Sequence, residues 1–147
     1  MADPLSIGAG VVGIIVPALH GSRLLLDDLQ AIIDAPKALE TLKNNVSLVE
    51  MALVSLQAVK DTDWELLGDA VAEQSKAAIQ ACTKACDLFY SDLQQWTKHS
   101  NEGTLSWNDR ANVGFLKQRR IKAISNQLQT CHISINSVVS IATLCVN

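Results

Sequence analysis

The sequence predicts an all-α fold, a four-helix bundle formed by a single domain that spans residues 1–147. Apolar residues recur at intervals of three and four over long stretches, which is the spacing of one buried helix face. The chain has only three prolines and seven glycines, so few helix-breaking residues fall within these stretches. Hydrophobic residues make up 48 % of the sequence, which is enough for a real core at this length.

The second predicted helix runs from about Ala35 to Lys60. Asp34 is its expected N-cap, and Pro36 suits the first turn, where the missing N–H costs nothing. Residues 61–63 then predict a turn and the next N-cap. The apolar face of this helix is formed by Leu39, Leu42, Val46, Val49, Leu53 and Leu56.

Two further helices follow, separated by a predicted loop at residues 100–106. The last helix begins after Asn108 or Asp109 as its N-cap, and the helix before it ends near His99. The apolar face of the helix before the loop, called the earlier face below, comprises Trp64, Leu67, Val71, Ala78, Ala85, Phe89, Leu93 and Trp96. The later face comprises Ile121, Ile124, Leu128, Cys131, Ile135, Val138, Ala142 and Cys145.

The first segment carries no formal charge between Asp3 and Arg23. As a helix its roughly 19 residues would span about 28 Å, close to the hydrocarbon thickness of a bilayer. Pro17 predicts a kink or a break. The segment is either a central core helix or a membrane-active helix, and both hold if it is buried at rest and released on activation. The candidate membrane-insertion residues are Leu5, Ile7, Gly10, Val12, Gly13, Ile14, Ile15, Val16 and Leu19.

Two motifs that could indicate chemistry are rejected from their context. Gly8, Gly10 and Gly13 spell a dinucleotide-binding pattern, but that motif needs a preceding β-strand, and none is predicted. Cys82 and Cys86 lie four residues apart, yet no second pair of ligands has a comparable spacing. All four cysteines are therefore predicted to be reduced, buried thiols. We expect no enzyme activity, cofactor or metal.

Basic residues are concentrated at the start of the last helix. This basic cluster is either a solvated helix face or a patch that contacts anionic lipid headgroups. The net charge of −3 argues against a general nucleic-acid binder. The cluster consists of Arg110, Lys117, Arg119, Arg120 and Lys122.

Two stretches resemble the HeLo-like N-terminal domain of fungal STAND (NOD-like) receptor proteins. They are the opening MADPLSIGAGVVGIIVPALHG and the later LSWNDRANVGFLKQRRIKAISNQLQTCHISINSVVSIATL. In that family a small-residue-rich apolar start is followed by a Trp-x-Asp-Arg element, here Trp107, Asp109 and Arg110, which opens a final helix with basic residues.

The resemblance implies a regulated cell-death effector domain in fungal innate immunity or heterokaryon incompatibility. Such a domain would self-associate and permeabilise membranes through its apolar N-terminal helix, with Leu5 to Leu19 as the toxic segment. It would contact anionic lipids through the basic cluster and move from the cytoplasm to the plasma membrane. A downstream sensor or nucleotide-binding oligomerisation domain is the expected partner. The alternative is a helical adaptor that mediates assembly without contacting lipid.

Overall fold

The computed structural model describes residues 7–32, 36–96 and 115–146, and these ranges contain five helices. They are α1 (Ile7–Gln30), α2 (Lys37–Gln57), α3 (Asp61–Leu67), α4 (Asp69–Trp96) and α5 (Phe115–Val146). Regular structure in these ranges is helical, which confirms the predicted all-α class.

The four long helices pack side by side, and each lies mainly against two of the others. Helix α1 packs on α2 and α4, and α5 packs on the same two helices. The short α3 contacts α1, α4 and α5. The predicted count of four helices is not confirmed, because the part of the chain expected to form one helix from Trp64 onward contains two.

Gly68 separates these two helices. Its φ of 90° and ψ of 171° lie in a region that is essentially restricted to glycine, so the helix cannot continue through it. Its N–H still donates to the carbonyl oxygen of Trp64 at 3.1 Å, which closes the last turn of α3.

Helix boundaries depart from the sequence prediction by a few residues. Pro36 is the N-cap of α2 rather than part of its first turn, and its carbonyl oxygen accepts hydrogen bonds from the N–H groups of Leu39 and Glu40. Helix α2 ends at Gln57, before the predicted Lys60. Residues 61–63 form the first turn of α3 instead of a turn between helices, with Lys60 as the N-cap. Asp34, Ala35, His99, the loop at 100–106, Asn108 and Asp109 lie outside the described residues.

The predicted apolar faces form the core. All six face residues of α2 are buried, as are Ile121, Ile124, Leu128, Cys131, Ile135, Val138 and Ala142 of α5. In the earlier face, Trp64, Ala85, Phe89 and Leu93 are buried, whereas Leu67, Val71, Ala78 and Trp96 pack on the core half-buried. Phe89 and Trp96 meet edge to face, with ring centres 5.5 Å apart.

Helix α1 is continuous through Pro17, so of the two expected outcomes, a kink or a break, the break does not occur. The proline ring is on the exposed side of the helix. Its missing N–H therefore removes a hydrogen bond where water can solvate the orphaned carbonyl, and the buried side of the helix keeps its regular backbone.

Candidate functional site

Helix α1 has two apolar faces, and only one of them is covered by the bundle. The buried face comprises Val11, Ile15, Ala18, Leu19, Ser22, Leu25 and Leu29. The outer face comprises Ala9, Gly13, Val16, Pro17, His20 and Leu24, with Val16 55 % exposed and Leu24 40 % exposed. By length and composition α1 could cross a membrane, although a core helix can pass the same test; 39 % of its most apolar window is buried.

The candidate insertion residues are distributed over both faces. Ile15 and Leu19 belong to the core, Gly13 and Val16 are exposed, and Ile7, Gly10, Val12 and Ile14 are half-buried. Leu5 lies outside the described residues. Insertion of the whole segment therefore requires α1 to leave the bundle, whereas a surface contact with lipid could use the outer face alone.

Charged side chains from α3 and α4 lie across three glycines of α1. A methyl group added at Gly8 would overlap the carboxylate of Asp61 in α3. One added at Gly10 would lie 3.0 Å from Nζ of Lys76, and one at Gly21 would lie 3.2 Å from Oδ1 of Asp87. A methyl group at Gly13 would meet no atom within 4 Å. The small residues thus serve close packing within the folded domain, except at Gly13.

These glycines also decide the question of the dinucleotide-binding motif. Gly8, Gly10 and Gly13 lie within one continuous helix, and they do not form a turn between a strand and a helix. The motif requires these glycines to turn the chain from a strand into a helix, and residues that are already helical do not make that turn.

Polar side chains tie the second half of α1 to its neighbours. Arg23 Nε is 3.2 Å from Glu50 Oε2 of α2, and Gln94 Nε2 of α4 donates to Asp28 Oδ2 at 2.6 Å. Burial raises the pKa of Asp28, an effect that the hydrogen bond from Gln94 partly offsets. The charge-free part of the helix ends immediately before Arg23, where these polar contacts begin.

The structure divides the basic cluster between two places. Lys117 Nζ lies 5.4 Å from the ring centre of Trp96, and Arg120 Nε is 2.7 Å from Asp92 Oδ2, so both contact α4. Arg119 and Lys122 instead line a groove against the start of α2, together with Lys37. Arg110 lies outside the described residues. Sequence reasoning missed Lys37 because it joins Arg119 and Lys122 only through the packing of α2 on α5.

The α2–α5 groove has a volume of about 590 Å³, and its accessible surface is mainly apolar carbon, although most of its lining residues carry a polar or charged group. Ser125 is 6 % exposed, and its Oγ accepts a hydrogen bond from Asn45 Nδ2 at 2.6 Å. The N-cap of α2 at Pro36 supplies no side-chain hydrogen bond to the first turn. The groove is lined by Lys37, Ala38, Thr41, Gln118, Arg119, Lys122, Ser125 and Asn126.

The described cysteines behave as core residues. Cys82, Cys86 and Cys131 are buried free thiols. A hydrogen bond with Cys86, reinforced by burial, raises the pKa of the Cys82 thiol, and burial raises that of Cys131. Among the described residues, no group of three or more His, Cys, Asp or Glu side chains could hold a metal ion. The side chain of Cys145 is outside the described residues.

The fold and these surfaces define a class: an all-helical domain with an apolar first helix and a basic groove between α2 and α5. The sequence model of one protein family, described as pigment biosynthesis cluster protein PigL N-terminal, matches residues 2–146. The chain therefore belongs to this family, an N-terminal helical domain of a fungal cluster protein. The match does not confirm the finer HeLo-like assignment. Among curated proteins and among solved structures, none shows significant similarity to the chain.

Proposed function

We propose that this domain is a HeLo-like cell-death effector without enzyme activity, which self-associates and permeabilises the plasma membrane through α1. The exposed apolar face of α1 is the observation that carries the proposal. A helix long enough to span the hydrocarbon region already presents Gly13, Val16 and Leu24 to solvent. That face supplies a first contact with lipid before any core residue has to move.

The buried face of α1 makes the isolated domain a resting form. Removing Val11, Ile15, Leu19, Leu25 and Leu29 from the core into water would cost on the order of 10 kcal/mol, at about 2 kcal/mol for each side chain. Lipid, or the α1 helices of other copies, would return much of that free energy by burying the same side chains. Activation is therefore proposed to depend on clustering at a membrane, driven by a downstream sensor or oligomerisation domain.

The test is dye release from liposomes with and without anionic lipid, using Gly13→Asp as the diagnostic variant. Because the space around Gly13 is open, the carboxylate disturbs the outer face of α1 and leaves the core intact. Ser91→Asp, on the exposed side of α4, is the matched control for added charge. When the proteins are artificially clustered, we expect leakage by the wild type and the control, loss of leakage in Gly13→Asp, and the same unfolding temperature in all three.

A truncated chain that starts at Ser22 removes the apolar segment altogether. Because it also removes residues of the core, it tests insertion less specifically than Gly13→Asp does. Leakage that persists in Gly13→Asp at wild-type level would contradict insertion through α1. Clustered wild-type protein that causes no leakage would contradict the membrane function altogether.

The alternative function, a helical adaptor that assembles without lipid, is favoured by a second surface. An uncharged groove of about 500 Å³ between α4 and α5 is lined by small and apolar side chains that include Ala78, Ala81, Ile133 and Ile141. Ile133 is 61 % exposed. An adaptor would lose self-association on Ile133→Asp, measured by sedimentation velocity, and would be indifferent to Gly13→Asp.

A further inference from the structure

The α2–α5 groove concentrates positive charge in a protein with a net charge of −3. Lys37 projects from the first turn of α2, and Arg119 and Lys122 are one turn apart on α5. None of the eight residues that line the groove is acidic. Arg120, although adjacent to Arg119 in sequence, is paired with Asp92 of α4 and does not line it. The groove therefore differs from a uniformly charged helix face.

The positive end of α2 adds to this charge. Lys37, Ala38 and Thr41, from its first two turns, all line the groove. The N-cap Pro36 has no side-chain acceptor for the first N–H groups. An anion in the groove would lie next to this helix end, where the backbone dipole favours negative charge.

Ser125 supplies an oriented hydroxyl in the wall of the groove. Its Oγ accepts one hydrogen bond from Asn45 Nδ2, and the Ser125 carbonyl oxygen accepts a second from the same amide group at 3.2 Å. With its oxygen engaged as an acceptor, the hydroxyl retains its own hydrogen for donation to a ligand. Gln118 and Asn126 place further amide donors in the lining.

We propose that the α2–α5 groove is a binding site for a ligand that carries two or more phosphate groups. Cations line both helices that form the groove, and together with the positive end of α2 they match a ligand more anionic than a single phosphate group, whose charge is about −2. The volume of about 590 Å³ is typical of a small-molecule site. Guanidinium, ammonium, hydroxyl and a helix N-terminus are together the donors that phosphate oxygens prefer.

This chemistry could come from a phosphorylated lipid headgroup or from a soluble polyphosphate. The lipid source rests on the proposed function, whereas binding of a soluble polyphosphate does not. Sodium tripolyphosphate tests the soluble source by titration calorimetry. Phosphatidylcholine vesicles containing phosphatidylinositol bisphosphate test the lipid source by co-sedimentation, against phosphatidylserine vesicles of equal charge.

The diagnostic variant is the double substitution Lys37→Gln with Lys122→Gln, and the control is Arg120→Gln. Both lysines are exposed, so folding should be unaffected, and circular dichroism checks this. Because the double variant removes two cations from the groove, we expect it to weaken tripolyphosphate binding about tenfold, which corresponds to about 1.4 kcal/mol. Ser125→Ala should weaken it less, and Arg120→Gln less than about twofold.

Binding of tripolyphosphate or of the bisphosphate vesicles, with this order among the variants, supports the site. Equal loss in Arg120→Gln and in the double variant would overturn it, since diffuse charge would then explain binding. If the wild type binds neither tripolyphosphate nor the bisphosphate vesicles, the proposal is overturned as well. Leakage is scored separately: groove binding without leakage refutes only the proposed function, and leakage without groove binding refutes only this site.

Discussion

At the scale of single residues, the glycines of α1 show that one residue type meets different needs along one helix. Gly8 and Gly10 lie beneath Asp61 and Lys76, whereas Gly13, one turn away, faces open space. Since glycine weakens a helix, we expect the presence of a glycine at each of these positions to be explained by the atoms that lie against it. At Gly8 the close approach of α3 supplies that explanation. At Gly13 nothing in the folded domain does, which directs attention to the unfolded, assembled or membrane-bound states.

Gly13→Ala and Gly8→Ala are predicted to change stability in opposite directions. Gly13→Ala should raise the free energy of unfolding by about 0.4–1 kcal/mol, because alanine restricts the unfolded chain and touches nothing when folded. Gly8→Ala should lower it by about 1–3 kcal/mol, because the new methyl group overlaps the Asp61 carboxylate and lies 3.3 Å from the Asp61 Cα. Urea denaturation of both variants measures the difference. Equal stabilisation would mean that α3 does not pack on α1 in this way.

At the scale of elements, the helical periodicity of the sequence predicted the buried helix faces, but it did not predict the single interruption at Gly68 or the groove between α2 and α5. The faces of α2 and α5 follow from spacings of three and four, and those described side chains are buried as expected. The separation of α3 from α4 was missed, because an isolated glycine is compatible with a helical pattern and its φ cannot be seen in a sequence. The placement of Lys37 and Arg119 in one groove was equally invisible, because it depends on how α2 and α5 pack, and helical periodicity does not encode that.

Gly68→Ala is predicted to destabilise the domain by about 1–3 kcal/mol. The backbone at this residue has φ of 90° and ψ of 171°, which L-residues adopt only with strain, and no side-chain contact would offset that cost. The urea midpoint should fall, with Gly13→Ala as the control for a glycine in ordinary helical geometry. An unchanged midpoint together with higher helical content would indicate that α3 and α4 can merge into one helix.

At the scale of the whole molecule, the core couples helix packing to the protonation of its thiols. Cys82 in α4 and Cys131 in α5 are buried together with the apolar faces of both helices. Their pKa values are raised above the ordinary 9.0, so the folded protein keeps both thiols protonated at pH values where the unfolded chain would ionise them.

The free energy of unfolding is therefore predicted to fall as the pH rises above about 9, and to be unaffected by these thiols below that value. Between the unfolded and folded pKa values the folded state binds more protons, and each thiol contributes up to about 1.4 kcal/mol per pH unit. Urea denaturation across this range should show a shallower slope in Cys82→Ala with Cys131→Ala. Other groups that gain or lose protons over this pH range are present in both proteins, so their effect on the slope cancels in the comparison. Identical slopes would show that neither thiol is protected from ionisation.

Pro17 sets a condition on how α1 could sit in a bilayer. The carbonyl of Gly13 has lost the N–H donor that a regular helix would supply four residues later, and both residues are on the exposed side of the helix. This side is exposed in the resting domain, so water can satisfy the carbonyl, but hydrocarbon offers no donor and an unsatisfied carbonyl costs several kcal/mol there. Under the proposed function, this side of α1, with its small residues, would face neighbouring copies of the helix, whose donor groups would satisfy the carbonyl, and the opposite side would face the acyl chains.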